Sequence, residues 1–190
     1  IIVSDLDDKI AGTGQLLFGL GRVPLLSGSD KAACSDFLAD VLREHPQYTG
    51  LLTIRPDGTL FCDSLRSGRQ LDLRDRQYFQ RALKSTKPVT EAVIGRLTGK
   101  GVLQVAYPVR EVDGALRYVL LASLDMQAYG SAMVSAQRYD RMHLQVWNGD
   151  GSVVMDFQHS GGKPLPLRAA ERQFMGLPEG GHDLIEGEDG

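Results

Sequence analysis

Residues 71–109, LDLRDRQYFQRALKSTKPVTEAVIGRLTGKGVLQVAYPV, constrain the fold most. Asp75 reads as an N-cap. Behind it Phe79, Ala82 and Leu83 recur at the i, i+3, i+4 spacing of a helix face. Lys87-Pro88 stops that helix. Two β-rich runs follow, 89–94 and 102–109, and Gly95, Gly99 and Gly101 flank the hairpin between them. The stretch therefore places Arg76 at a helix start, beside Tyr78 and Phe79 and facing a sheet. Such a constellation suits a small anionic ligand better than a chemical step.

The rest of the chain supplies the partners for this unit. Residues 1–20 read as a helix in which Val3, Leu6, Ile10, Leu17 and Leu20 form a heptad-like seam, with Thr13 filling one step. Gly12, Gly14, Gly19 and Gly21 weaken it, each by roughly 1 kcal/mol against Ala. Two readings of the seam stand side by side: an amphipathic helix packed on its own domain, or a dimer seam continuing from a membrane helix. Pro24 and Ser27-Gly28-Ser29 break this helix. Asp30 caps a second one, with Cys34, Phe37, Leu38, Val41 and Leu42 on one face and His45-Pro46 at its end. Strands are predicted at 48–54 and 60–62 around the Pro56-Asp57-Gly58 turn. After the Asp113-Gly114 turn comes an apolar strand at 116–124, read as buried on both faces.

The pattern then partly repeats. A helix at 125–137 leads to a hairpin of 142–147 and 152–157, followed by a short helix at 167–175 and a weak strand at 182–185. The fold class is α+β: a long N-terminal helix (1–27) and two lobes with antiparallel sheets, 28–136 and 137–190. The second lobe has too few strands to close a core alone and is read as incomplete. With 190 residues, 42% of them hydrophobic, a packed core is expected. A net charge of −3 carries no basic footprint, so nucleic acid is not an expected partner. No apolar run approaches the ~20 residues of a membrane span, and an opening at Ile1 without Met reads as an excised segment.

Enzyme sites fail their own tests. The Gly95 to Gly101 loop has a shorter glycine spacing than a P-loop, lacks Ser or Thr after Lys100, and leads into a strand. Gly12-Thr13-Gly14 follows no strand, so it is no dinucleotide fingerprint. His45, His143, His159 and His182 show no metal-ligand spacing, and His159-Ser160 has no nucleophile elbow. The chain is expected to catalyse nothing and to hold neither cofactor nor metal.

The series Asp75-Arg76-x-Tyr78-Phe79, Ile94-Gly95-Arg96-x-Thr98-Gly99-Lys100, Ala106-Tyr107-Pro108-Val109 and Asp113-Gly114 resembles double Cache domains, best over 34–129. These are the PAS-like extracytoplasmic sensors of bacterial histidine kinases, diguanylate cyclases and chemoreceptors. The resemblance implies a periplasmic sensory segment of a membrane-anchored receptor, a homodimer through the N-terminal helix, and a ligand in the first lobe. Arg76 would clamp an anion, Tyr78 would give a hydroxyl and a wall, Phe79 an apolar wall, and Gln104 an amide. Arg96 and Tyr107 are weaker candidates near strand ends. Alternation places Gln104 and Ala106 on one face and Val105 and Tyr107 on the other. Amino-acid-binding members use an acidic residue that would fall near Leu121, and an aromatic that would fall at Leu71. Those departures favour a small organic acid. The plainer alternatives are a surface ion pair of Arg76 with Asp72 or Glu91, and Tyr78 and Phe79 as core. An extracytoplasmic setting and an even cysteine count favour a Cys34–Cys62 disulfide. The rival reading is a module that dimerises or binds a protein and holds no small molecule.

Overall fold

The computed structural model describes residues 2–135, 142–147, 151 and 153–159. Helix α1 spans Ile2–Leu20 and a short 3-10 helix follows at Pro24–Ser27. The α1 seam packs inward on its own domain. Thr13, Leu17 and Leu20 are buried, and the two leucines join Val105, Val109 and Leu120 of the sheet in one core. Leu6 packs instead with Met126, Tyr129 and Met155. Thr13 fits this apolar seam because its hydroxyl donates to the Lys9 carbonyl at 2.7 Å and lies 2.9 Å from the Tyr48 hydroxyl. The glycines are not all idle: a Cβ at Gly14 would lie 3.3 Å from Pro88, so the close helix–loop approach uses its absence.

Helix α2 spans Lys31–Glu44, and the Asp30 carboxylate accepts the Ala33 N–H at 2.9 Å as its cap. Cys34 on its buried face is disulfide-bonded to Cys62, with Cα atoms 6.0 Å apart. The strands are β1 (Tyr48–Ile54), β2 (Leu60–Asp63), β3 (Val89–Ile94), β4 (Gly101–Arg110) and β5 (Leu116–Asp125). They form one antiparallel sheet in the order β2-β1-β5-β4-β3. Central β5 is buried from Tyr118 to Leu124, as a run apolar but for Ser123 requires. Helices α1 and α2 cover one face. Helix α3 (Gln77–Lys84) covers the other, burying Tyr78, Phe79 and Ala82 against Val89, Ala106 and Leu121.

Two sequence expectations need correction here. Asp75 is not the cap of α3: Arg76 is the N-cap residue and gives no side-chain cap bond. The carboxylate at that helix start is Glu91 of β3, which accepts the Tyr78 N–H at 2.6 Å. The helix also ends at Lys84, ahead of Lys87-Pro88. There Arg110 of β4 donates to the Leu83 carbonyl at 2.7 Å and the Ser85 carbonyl at 2.9 Å. Tyr107 faces α1, its ring edge-on to Phe18 with centroids 6.3 Å apart, so it stands on the opposite face of the sheet from α3.

Beyond β5, helix α4 (Met126–Ser135) leads to a two-stranded sheet of β6 (Met142–Trp147) and β7 (Val153–His159). Met126, Tyr129 and Met133 of α4 meet Met155 and Phe157 of β7 in a separate small core. The helix read at 167–175, the strand read at 182–185 and the question of closing strands fall outside the described residues.

Candidate functional site

The α3 face of the sheet holds one polar line. The strand register sets Glu91 of β3 opposite Gln104 of β4, Gln104 opposite Ser123 of β5, and Ser123 opposite Gly50 of β1. Side chains opposite one another across adjacent strands share a face. The neighbouring line, Val89, Ala106, Leu121 and Leu52, is apolar throughout. Gln104 and Ser123 are buried, and the Ser123 hydroxyl donates to Gln104 Oε1 at 2.7 Å. The Gln104 amide nitrogen makes no hydrogen bond among the described residues. That nitrogen is not among the fully buried atoms without a partner, so its donors are open to a small ligand.

A cavity of about 20 Å³ sits above this floor, lined by Gln104, Ser123, Leu121, Leu71, Tyr78 and Arg96, among others. Tyr78 is held there by the first turn of α3. Burial pushes its hydroxyl up to about 12, so it stays protonated and can donate. Leu71 and Leu121 supply apolar wall. Arg96 comes from the β3–β4 hairpin, whose turn uses Gly99 at φ +70°. Its guanidinium forms a two-pronged pair with Asp75, at 2.8 and 2.6 Å, and also donates to the Asp72 carbonyl. The hydrogen bond from Arg96 holds the Asp75 carboxyl below its usual range and raises Arg96 further. Arg69 ties the same hairpin down through the carbonyls of Arg96 and Leu97, at 3.2 and 3.1 Å.

Of the seven residues read as ligand contacts, Tyr78, Gln104 and Arg96 line this cavity. Phe79 and Ala106 lie on the correct face but belong to the core under α3. Arg76 stands at the α3 N-cap, outside the lining. One of its terminal nitrogens is 3.4 Å from the Ile94 carbonyl, and its Nε is buried with no hydrogen-bond partner. Asp72, one proposed surface partner of Arg76, pairs with Arg74 instead, at 2.5 Å. Tyr107 lies outside this lining, against Phe18 on the other face of the sheet. Ser123 escaped the sequence reading although a signal existed. Counting outward equally from the Asp113-Gly114 turn places residue 123 opposite residue 104. Among the described residues no group of His, Cys, Asp or Glu is placed to hold a metal, and no helix is long and apolar enough to cross a membrane.

No family model and no curated protein matches the chain. Solved structures do. The ligand-binding domain of the Campylobacter jejuni chemoreceptor Tlp3, in complex with 4-methylisoleucine, superposes with a TM-score of 0.60 at 13% identity. That match covers 82% of this chain and 64% of the Tlp3 domain, so the chain spans less than two thirds of it. The sensor domain of the Vibrio cholerae histidine kinase DctB gives 0.64 at 18% identity, covering 93% and 74%. A domain of a putative sensory box/GGDEF family protein from Vibrio parahaemolyticus gives 0.63 at 14%, covering 92% and 76%. These likenesses are of fold. The 2-1-5-4-3 sheet with helices on both faces, followed by a helix and a second sheet, is the α+β fold shared with these three sensory domains.

Proposed function

We propose that this chain is the extracytoplasmic small-molecule sensor segment of a membrane-anchored signalling receptor. The observation that carries the reading is that Gln104, Tyr78 and Arg96 line one cavity, with no hydrogen bond donated by the Gln104 amide or the Tyr78 hydroxyl among the described residues. Those groups suit a small organic acid: donors and a cation for the carboxylate, Leu71 and Leu121 for its carbon skeleton. An amino acid such as the one in the Tlp3 complex also carries an ammonium. Among the described residues no acidic side chain lines this cavity to receive it. The anion clamp is assigned to Arg96, and the role first read for Arg76 passes to it.

In this reading, residues 28–136 form the ligand lobe, 137–190 belong to a membrane-proximal lobe, and 1–27 lead from the membrane. The parent is a histidine kinase or a diguanylate cyclase, and the segment lies in the periplasm. A homodimer through α1 would use the face carrying Phe18, which is 49% exposed, because the seam through Leu17 and Leu20 is spent on the sheet. One observation favours the rival, a ligand-free dimerisation module: a cavity of about 20 Å³ has room for about one water. The sensor reading therefore requires the β3–β4 hairpin to move when a metabolite enters.

Calorimetry with a panel of small mono- and dicarboxylates tests the choice. A binder should lose roughly ten- to a hundredfold in affinity in Arg96→Ala, the worth of one charge-assisted contact. Absence of binding across the panel, with dimerisation intact, would favour the rival.

A further inference from the structure

Arg96 is the one cation lining the cavity among the described residues, and its fork is already engaged. Both prongs meet a carboxylate in the geometry a ligand carboxylate would adopt, Nη1 to Oδ1 at 2.8 Å and Nη2 to Oδ2 at 2.6 Å. We propose that Asp75 is a resident competitor: its carboxylate and that of the ligand contend for the same Arg96 fork. This inference rests on the sensor reading above.

The placement of Asp75 supports the role. It lies one residue ahead of Arg76, the α3 N-cap. The Tyr78 N–H there is already served by Glu91, so the Asp75 side chain reaches across to the hairpin. The pair thus ties the segment ahead of α3 to the hairpin that brings Arg96 into the cavity lining. It is also exposed, 64% for the Asp75 side chain and 33% for that of Arg96, so its rupture costs only a few-fold in an equilibrium constant. A ligand carboxylate that met Arg96 and reached the buried Gln104 amide as well would gain a second contact that Asp75 does not make. Arg96 can exchange one carboxylate for the other without crossing a large barrier of desolvation, because its side chain is partly in water throughout. Asp75 would then set a threshold: weak anions fail to displace it, and carboxylates with a skeleton that fits the apolar wall succeed.

The experiment compares wild type, Asp75→Asn and Asp72→Asn by calorimetry with acetate, lactate, succinate and citrate at fixed ionic strength. Asp72→Asn removes the same charge nearby, but its carboxylate pairs with Arg74 and leaves the Arg96 fork engaged. Asp75→Asn should bind the best carboxylate of the panel about two- to fivefold more tightly, the worth of an exposed ion pair. Asp72→Asn should gain clearly less than Asp75→Asn, because its exposed carboxylate makes no bond to the Arg96 fork. Equal or weaker binding in Asp75→Asn overturns the inference, as does an equal gain in both variants. Either result leaves the sensor reading standing if wild type binds. If no carboxylate binds wild type or Asp75→Asn, the carboxylate-sensor reading and this inference fall together.

Discussion

Gln104→Leu is the perturbation that separates a functional floor from an ordinary core. Gln104 and Ser123 are 4% and 8% exposed, and their contact at 2.7 Å is internal to the sheet face. Replacing Gln104 alone leaves the Ser123 hydroxyl buried without its acceptor. An orphaned buried donor costs about 1–3 kcal/mol. The leucine returns part of this by placing apolar surface on a floor beside Leu121. The net loss should be about 1 kcal/mol. Adding Ser123→Ala removes both partners, which is near neutral or stabilising. The double variant should therefore recover wild-type stability, with a coupling of about 1 kcal/mol across the cycle. Urea denaturation followed by circular dichroism reads the midpoints, with the slope unchanged. A double variant no more stable than Gln104→Leu would refute the reasoning. Both variants should lose carboxylate binding, since the amide is the contact that the stability cycle does not restore.

Three further outcomes follow from other parts of the molecule. Replacing Cys34 and Cys62 by Ser opens a cross-link with a sequence separation of 28 and should cost roughly 3–4 kcal/mol in the chain-entropy account; coincident thermal melts of wild type and variant would contradict it. Gly101→Ala would bring a Cβ to 2.5 Å from the Val154 carbonyl oxygen, where β4 meets β7. It should lower stability by roughly 1–3 kcal/mol, and an unmoved melting midpoint would be the opposing result. Burial lifts the Glu91 carboxyl above its usual range, outweighing the Tyr78 N–H, Arg81 and Arg76. A raised carboxyl holds its proton to higher pH in the folded chain than in the unfolded one. Its contribution is thus fully present below the unfolded value and is lost as pH rises through the folded one. Glu91→Gln should flatten the stability profile just above the ordinary glutamate range, and an unchanged slope there would count against the burial argument.

Much of the sheet was legible because its signals are local. Strands β1 and β3 fall at 48–54 and 89–94 as read, since β-branched runs end at glycine- and proline-bearing turns. Asp30 was legible as a cap for the same reason: the carboxylate and the N–H it accepts lie three residues apart. The start of α3 was not. Its carboxylate comes from Glu91, 13 residues away in sequence, and the nearer Asp75 imitates a cap while serving another partner. Nor could periodicity decide the α1 seam. A stripe of leucines has the same spacing whether it meets a second chain or its own sheet, and here Val105, Val109 and Leu120 take it.

The same limit explains the exchange of Arg76 for Arg96. Both arginines lie beside glycine- or aspartate-marked boundaries, and only Arg76 has the two aromatics next to it in sequence. Adjacency in sequence at a helix start, however, spreads successive side chains around the axis by about a quarter turn or more. Tyr78 therefore reaches the cavity while Arg76, two residues earlier, turns toward the Ile94 carbonyl. Arg96 reaches the cavity because the β3–β4 pairing carries the hairpin back over residues 71–75, and its two bonds to Asp75 close a gap of 21 residues. Strand pairing is what converts such a separation into a contact, and counting outward equally from the Asp113-Gly114 turn gives the β4–β5 register. The floor of the site could have been read from the register alone, with Gln104 opposite both Glu91 and Ser123. The mouth could not, because it depends on how far a hairpin tip leans across a helix start.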